Sequence, residues 1–112
     1  MGRVFCWVPY KNTKTSPKGI FVSKCSCFRD FLPNSVPASY FANTGSSGGW
    51  SPGAALGAKI AAPDRDVIAV TGDGFYMFGT PAPAIWAAAQ HDAPFMTVIY
   101  TNRSYTTGTS AV

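Results

Sequence analysis

A strand–helix–strand pattern, with an oxygen-bearing side chain beyond each strand, constrains this chain more than any other feature. Val67, Ile68, Ala69 and Val70 form an uncharged run that stops at Gly72-Asp73-Gly74, and a second apolar run over residues 95–100 stops shortly before Asn102. Between them Thr80 stands where it can cap a helix, with Pro81 in the first turn and Ile85, Trp86, Ala87, Ala88 and Ala89 along it. His91, Asp92 and Pro94 end that helix. Two short-jointed strands flanking one helix form a βαβ unit, so the strands are expected to be parallel with a right-handed crossover. Asp73 and Asn102 then share the carboxyl edge of the sheet, where open α/β sheets bind ligands.

Upstream, Tyr40, Phe41 and Ala42 are a short strand candidate, and residues 43–49 form a Gly/Ser loop. Pro52 opens a helix through Ala54, Ala55, Leu56, Ala58, Ile60 and Ala61, and Pro63-Asp64-Arg65-Asp66 stops it. Residues 67–71 read as a strand buried on both faces, and residues 95–100 as a second. The expected fold is α/β, a partial doubly wound parallel sheet over residues 36–112. Residues 1–35 show neither helical nor strand periodicity and read as an irregular basic leader, of separate history or disordered.

Charged residues make up 12% of the 112-residue chain, about half the usual share, so part of its surface is expected to be covered by another domain or subunit. Six of the nine basic residues (Arg3, Lys11, Lys14, Lys18, Lys24 and Arg29) precede residue 34, against the single acid Asp30. No recognisable nucleic-acid module accompanies them, so nucleic acid is not an expected partner. The three cysteines, Cys6, Cys25 and Cys27, are odd in number and lack zinc-site spacing, which fits free thiols in a reducing cytoplasm. No apolar stretch reaches the roughly 18 residues of a membrane span, and no secretory signal opens the chain. All five acids are aspartates, so any mechanism that needs a glutamate must obtain it elsewhere.

Mg²⁺ prefers hard oxygen ligands: one or two carboxylate or amide oxygens, carbonyls, water and substrate phosphates. Asp73 offers a carboxylate, Asn102 an amide oxygen and the following loop a carbonyl. Gly74 and Phe75 add backbone N–H groups near the next element, whose dipole favours an anion. Together these residues describe a clamp for a metal-bound diphosphate. A nucleotide-binding module of another kind is the competing reading, but neither a Gly-x-Gly-x-x-Gly directly after a strand nor a Walker lysine is present. His91 reads as a helix-end residue, and Trp50 and Trp86 as core or interface packing.

Residues 39–109 resemble the cofactor-binding domain of thiamine diphosphate enzymes of the acetolactate synthase, benzoylformate decarboxylase and pyruvate decarboxylase group. Gly72-Asp73-Gly74 and Thr101-Asn102 are similar to the ends of that family's cofactor motif, and residues 45–58 to its Gly-rich loop and Ala-rich helix. The resemblance implies Mg²⁺ ligation by Asp73, Asn102 and the Ser104 carbonyl, diphosphate contacts from Gly74 and Phe75, and a place for Gly72 in the cofactor site. It also implies aminopyrimidine contacts from the backbone at Ser46 and Ser47. In such enzymes the cofactor is the electron sink for a reaction at the carbonyl of a 2-oxo acid, and the protein supplies orientation and electrostatics.

The chain departs from the family at three points. Thr101 stands where the closing pair has its first Asn, and Gly48 falls near a position that often carries a bulky apolar residue. The activating glutamate belongs to a pyrimidine-binding domain, usually of a partner subunit in a homo-oligomer, and is absent here. The chain is therefore expected to be a fragment that binds the cofactor weakly and does not turn over 2-oxo acids alone. A non-catalytic, truncated product is the alternative.

Overall fold

The computed structural model describes residues 3–7, 19–23, 37–43 and 48–103. They build one five-stranded sheet from β1 (Arg3–Trp7), β2 (Ile20–Ser23), β3 (Tyr40–Ala42), β4 (Val67–Gly72) and β5 (Met96–Thr101), in the order β1-β5-β4-β2-β3. Strands β5, β4, β2 and β3 are parallel, and β1 joins the outer edge of β5 antiparallel. Three helices complete the described fold: α1 (Trp50–Ala61), α2 (Asp73–Phe78) and α3 (Ala82–Gln90).

The β3–α1–β4 and β4–α2–α3–β5 connections both step toward the same side of the sheet. A right-handed crossover for each puts α1 and α3 over one face. Contacts of α1 with β2, β4 and α3 agree with that placement. From β2 the chain goes to β3 on one side, whereas from β4 it goes to β5 on the other. The order therefore reverses between β2 and β4, whose carboxyl ends flank the crevice where such sheets take ligands.

The core lies where α1 and α3 meet the sheet. Ile20, Val22, Val67, Ala69 and Phe95 are buried there with Ala55 of α1 and Ala88 of α3, and Trp50, Ala54 and Leu56 pack against them. Alanines on the helices bring their backbones close to the strands, so the valines and isoleucine fill the remaining space. Pro52 is fully buried and sits in the first turn of α1, where its missing N–H costs no helical bond.

The sequence reading holds for β3, α1, β4, α3 and β5, and for the parallel pairing of β4 with β5. Residues 1–35, expected to be irregular, contribute two strands. One of them, β2, pairs on both sides with strands from beyond residue 35, so it shares their sheet. Strands of four or five residues are too short to establish a period, which is why they were not visible. Thr80 does not cap α3: Pro81 takes the cap position with φ −68° and no side chain caps the helix, while the Thr80 N–H donates to Met77 O at the end of α2. Trp50 packs on the core; Trp86 is 67% exposed on α3, which rules out core packing and leaves the interface reading open. His91 lies exposed at the end of α3, its N–H donating to Ala87 O at 3.0 Å.

The amino edge is tied by two cations. Lys59 Nζ donates to the carbonyls of Pro63 and Arg65, each at 2.7 Å. The Arg65 guanidinium donates to Ala38 O at 3.1 Å and Gly19 O at 3.4 Å, just before β3 and β2. These bonds set the turn into β4 and leave the opposite edge to the site.

Candidate functional site

Asp73 is the first residue of α2 and directly follows β4, while Thr101 is the last residue of β5. Parallel pairing puts Gly72 opposite Tyr100, so these two strand ends stop side by side. The Thr101 hydroxyl donates to Asp73 Oδ2, and the backbone N–H of Arg103 donates to the same oxygen at 3.1 Å. On the other side of the carboxylate, Gly74 N–H donates to Oδ1 at 2.8 Å. Each carboxylate oxygen has about two lone-pair directions. Oδ2 takes the Thr101 and Arg103 donors and Oδ1 the Gly74 N–H, and Asp73's own backbone N–H adds to them. Asp73 is thus held in place through both of its carboxylate oxygens.

Its electrostatics follow from these contacts. The Thr101 hydrogen bond holds the Asp73 carboxyl below its ordinary range; partial burial opposes this, and the N–H groups of Gly74 and Arg103 reinforce it. The group is ionised at neutral pH, as a hard-cation ligand must be. Because the folded state favours the carboxylate, the associated stability is present above the ordinary carboxyl value of about 3.9 and is lost as pH falls through the lower, folded value.

Thr101, noted from the sequence only as a departure from the closing Asn pair, is the side chain that pins the Asp73 carboxylate. Replacing Thr101 with Val keeps the side chain's shape and removes its donor. The Asp73 carboxyl should then titrate at higher pH, nearer its ordinary range, while Thr101→Ser keeps the low value. Carboxyl-carbon NMR through the acid range measures this, and an unmoved midpoint in Thr101→Val would remove Thr101 from the site.

Asn102 is exposed immediately after β5, on the same edge as Asp73. Gly72, Gly74 and Phe75 are gathered there at the β4–α2 junction. Ser46, Ser47 and Ser104 lie outside the described residues, as do Cys25 and Cys27. Gly-Asp-Gly does more than turn the chain: it starts a six-residue helix, α2, which the sequence reading missed.

The Gly-rich segment enters this region through Gly48 and Gly49, which precede α1. A side chain at Gly48 would come within 2.6 Å of the Phe75 ring, so Phe75 occupies the room that a bulky residue there would need. Gly49 has φ +82°, a conformation that glycine adopts freely, and its backbone lies directly against that of Gly79. The start of α1 is thereby docked on the end of α2.

A model of the thiamine pyrophosphate enzyme C-terminal TPP-binding domain matches residues 24–110. The chain belongs to the thiamine pyrophosphate enzymes. Within that family it is 39% identical over 69 residues to benzoylformate decarboxylase of Pseudomonas aeruginosa, covering 62% of this chain and 13% of that protein. It is also 39% identical over 62 residues to the putative acetolactate synthase large subunit IlvX of Mycobacterium tuberculosis, covering 55% and 12% of the two proteins. Over 81 residues it is 36% identical to sulfoacetaldehyde acetyltransferase of Alcaligenes xylosoxydans xylosoxydans, covering 71% and 13%. The matched stretch spans about an eighth of each relative's length. This thiamine pyrophosphate enzyme domain thus has its Gly-Asp-Gly and its Asn102 on one sheet edge.

Among the described residues no three His, Cys, Asp or Glu side chains gather around a common point. A cation at Asp73 would therefore depend on amide, carbonyl and ligand oxygens, a set suited to Mg²⁺ rather than to zinc. No helix of the described residues is long and apolar enough to cross a membrane.

Proposed function

We propose that this domain holds thiamine diphosphate through Mg²⁺, as the cofactor-binding portion of a 2-oxo acid decarboxylase or carboligase of acetolactate synthase type. The observation that carries the reading is the ionised Asp73 carboxylate, pinned by Thr101, Gly74 and Arg103 at the same sheet edge as Asn102. Asp73, Asn102 and the Ser104 carbonyl would ligate the metal, and Gly72, Gly74 and Phe75 at the β4–α2 junction would line the diphosphate. The backbone at Ser46 and Ser47 would meet the aminopyrimidine. The bound cofactor supplies an electron sink for the reaction at the 2-oxo acid carbonyl.

This chain's own part is to bind and orient. Asp73 contributes negative charge toward the metal, while its supporting donors keep it ionised and fixed. The Gly49–Gly79 contact holds the start of α1 against α2. No residue here supplies the acid for the aminopyrimidine, because the chain has no glutamate. A pyrimidine-binding domain or partner subunit would bring it, in a homo-oligomer within the cytoplasm. Met77 and Phe78, each 70% exposed on α2, and Trp86 on α3 leave apolar surface for such a partner. The missing glutamate also favours a second reading, a cofactor-binding chain without activity of its own.

The direct test is calorimetric titration of the chain with thiamine diphosphate in excess Mg²⁺ and again in EDTA. Binding should be at least about tenfold weaker without the metal, since the diphosphate would lose its bridge to the carboxylate. Equal affinity in the two buffers would overturn the clamp.

A further inference from the structure

Arg103 combines three observations that the metal clamp leaves unexplained. Its φ is +59°, in the left-handed region that side chains disfavour and glycine accepts. The conformation is set through the backbone, because the Arg103 N–H donates to Asp73 Oδ2 at 3.1 Å and to Thr101 Oγ1 at 3.3 Å. Glycine would make both bonds with less strain, so the clasp does not account for an arginine. The residue is exposed, and among the described residues its guanidinium holds neither a hydrogen bond nor an ion pair.

The charges are partitioned along the strands. Lys59 and Arg65 are committed to carbonyls at the amino edge, where Asp64, Asp66 and Asp92 also precede β4 and β5. At the carboxyl edge stand Asp73, Arg103 and, by register opposite Thr101, Arg3. A diphosphate carries more negative charge than one divalent cation neutralises, particularly beside a carboxylate. Arginine presents a planar fork of donors suited to such oxygens.

We propose that Arg103 is an oxyanion-binding residue of this site, its guanidinium taking a phosphoryl or carboxylate oxygen of the bound ligand. The proposal rests on the ligand reading given above, and a single set of titrations separates the two. Amide shifts of Gly74 and residue 103 are followed by NMR in the 112-residue chain and in Arg103→Gly, Arg103→Lys and Asp73→Ala. The probes are inorganic pyrophosphate and, separately, pyruvate, each in Mg²⁺ and in EDTA.

Arg103→Gly should weaken pyrophosphate about fivefold in both buffers, and Arg103→Lys should recover part of the loss. The glycine variant should be no less stable to heat than the parent, because the left-handed strain is gone. A fivefold loss seen with pyruvate alone would also support the proposal and assign the oxygen to a carboxylate. Arg103→Gly within twofold of the parent for both probes would overturn it. Failure of the metal reading looks different: Asp73→Ala would then bind pyrophosphate in Mg²⁺ as the parent does.

Discussion

Asp73→Ala should abolish the magnesium-dependent part of thiamine diphosphate binding, weakening it at least roughly a hundredfold in calorimetric titration. Removing a group that merely supports a metal ligand already costs about 10- to 100-fold in affinity, and this substitution deletes the ligand itself. Among the described residues Asp73 is the only carboxylate at its edge, the other three lying in the turns that precede β4 and β5. Asp73→Asn is the more searching variant. It keeps the size of the side chain but turns one acceptor into a donor. Oδ1 receives the Gly74 N–H and Oδ2 the Arg103 N–H, so either orientation of the amide sets an NH₂ against a backbone N–H. Asparagine should therefore lose the metal and also loosen the loop after β5. Titration curves for both variants that overlay the parent's would show that the site is elsewhere.

The second large effect concerns stability. Gly79→Ala should cost about 3 kcal/mol, at the upper end of what an added methyl costs in a packed interior. Gly79 has φ −77°, so no left-handed strain enters the comparison. The cost comes from approach alone, because a Cβ there would lie 2.3 Å from Gly49 Cα and 2.6 Å from Gly49 O. These are backbone atoms and cannot rotate aside as a side chain would. Gly53 gives the matched control, with nothing within 4 Å of its added Cβ on the exposed face of α1. Gly53→Ala should instead stabilise by roughly 0.5–1 kcal/mol through the helix backbone. Urea unfolding should show a midpoint lower by roughly 1–2 M for Gly79→Ala and slightly raised for Gly53→Ala. Equal midpoints in the two variants would mean that Gly49 and Gly79 are not in backbone contact.

What could be read from the residues alone follows from how each signal arises. Residues 67–70 and 95–100 announce themselves because a buried parallel strand needs an apolar run and a turn residue at its end. Asp73 and Asn102 follow from the βαβ rule, which puts both just beyond strand ends on one edge. The Thr101 hydroxyl bond to Asp73 could not be read in this way. It depends on the β4–β5 register, which side-chain identity does not settle within two largely apolar strands. Helix α2 was hidden because Gly-Asp-Gly is also the composition of a tight turn and the helix is only six residues long. The Gly49–Gly79 approach is a property of two distant segments meeting, and neither segment signals it locally.

The antiparallel place of β1 has a consequence for how the domain comes into being. Arg3 pairs with Thr101, and Trp7 with Thr97, so among the described strands the first finds its neighbour in the last. During synthesis β1 must leave the ribosome and wait while the elements from β2 to β5 are made. Among the described strands, the outer side of β5 is covered by β1, from the opposite end of the described residues. Pairings of such long separation are slow to form, because the loop entropy is spent before any bond repays it. A nascent chain halted before residue 101 could assemble β2, β3 and β4 around α1, yet β1 would still lack its full template.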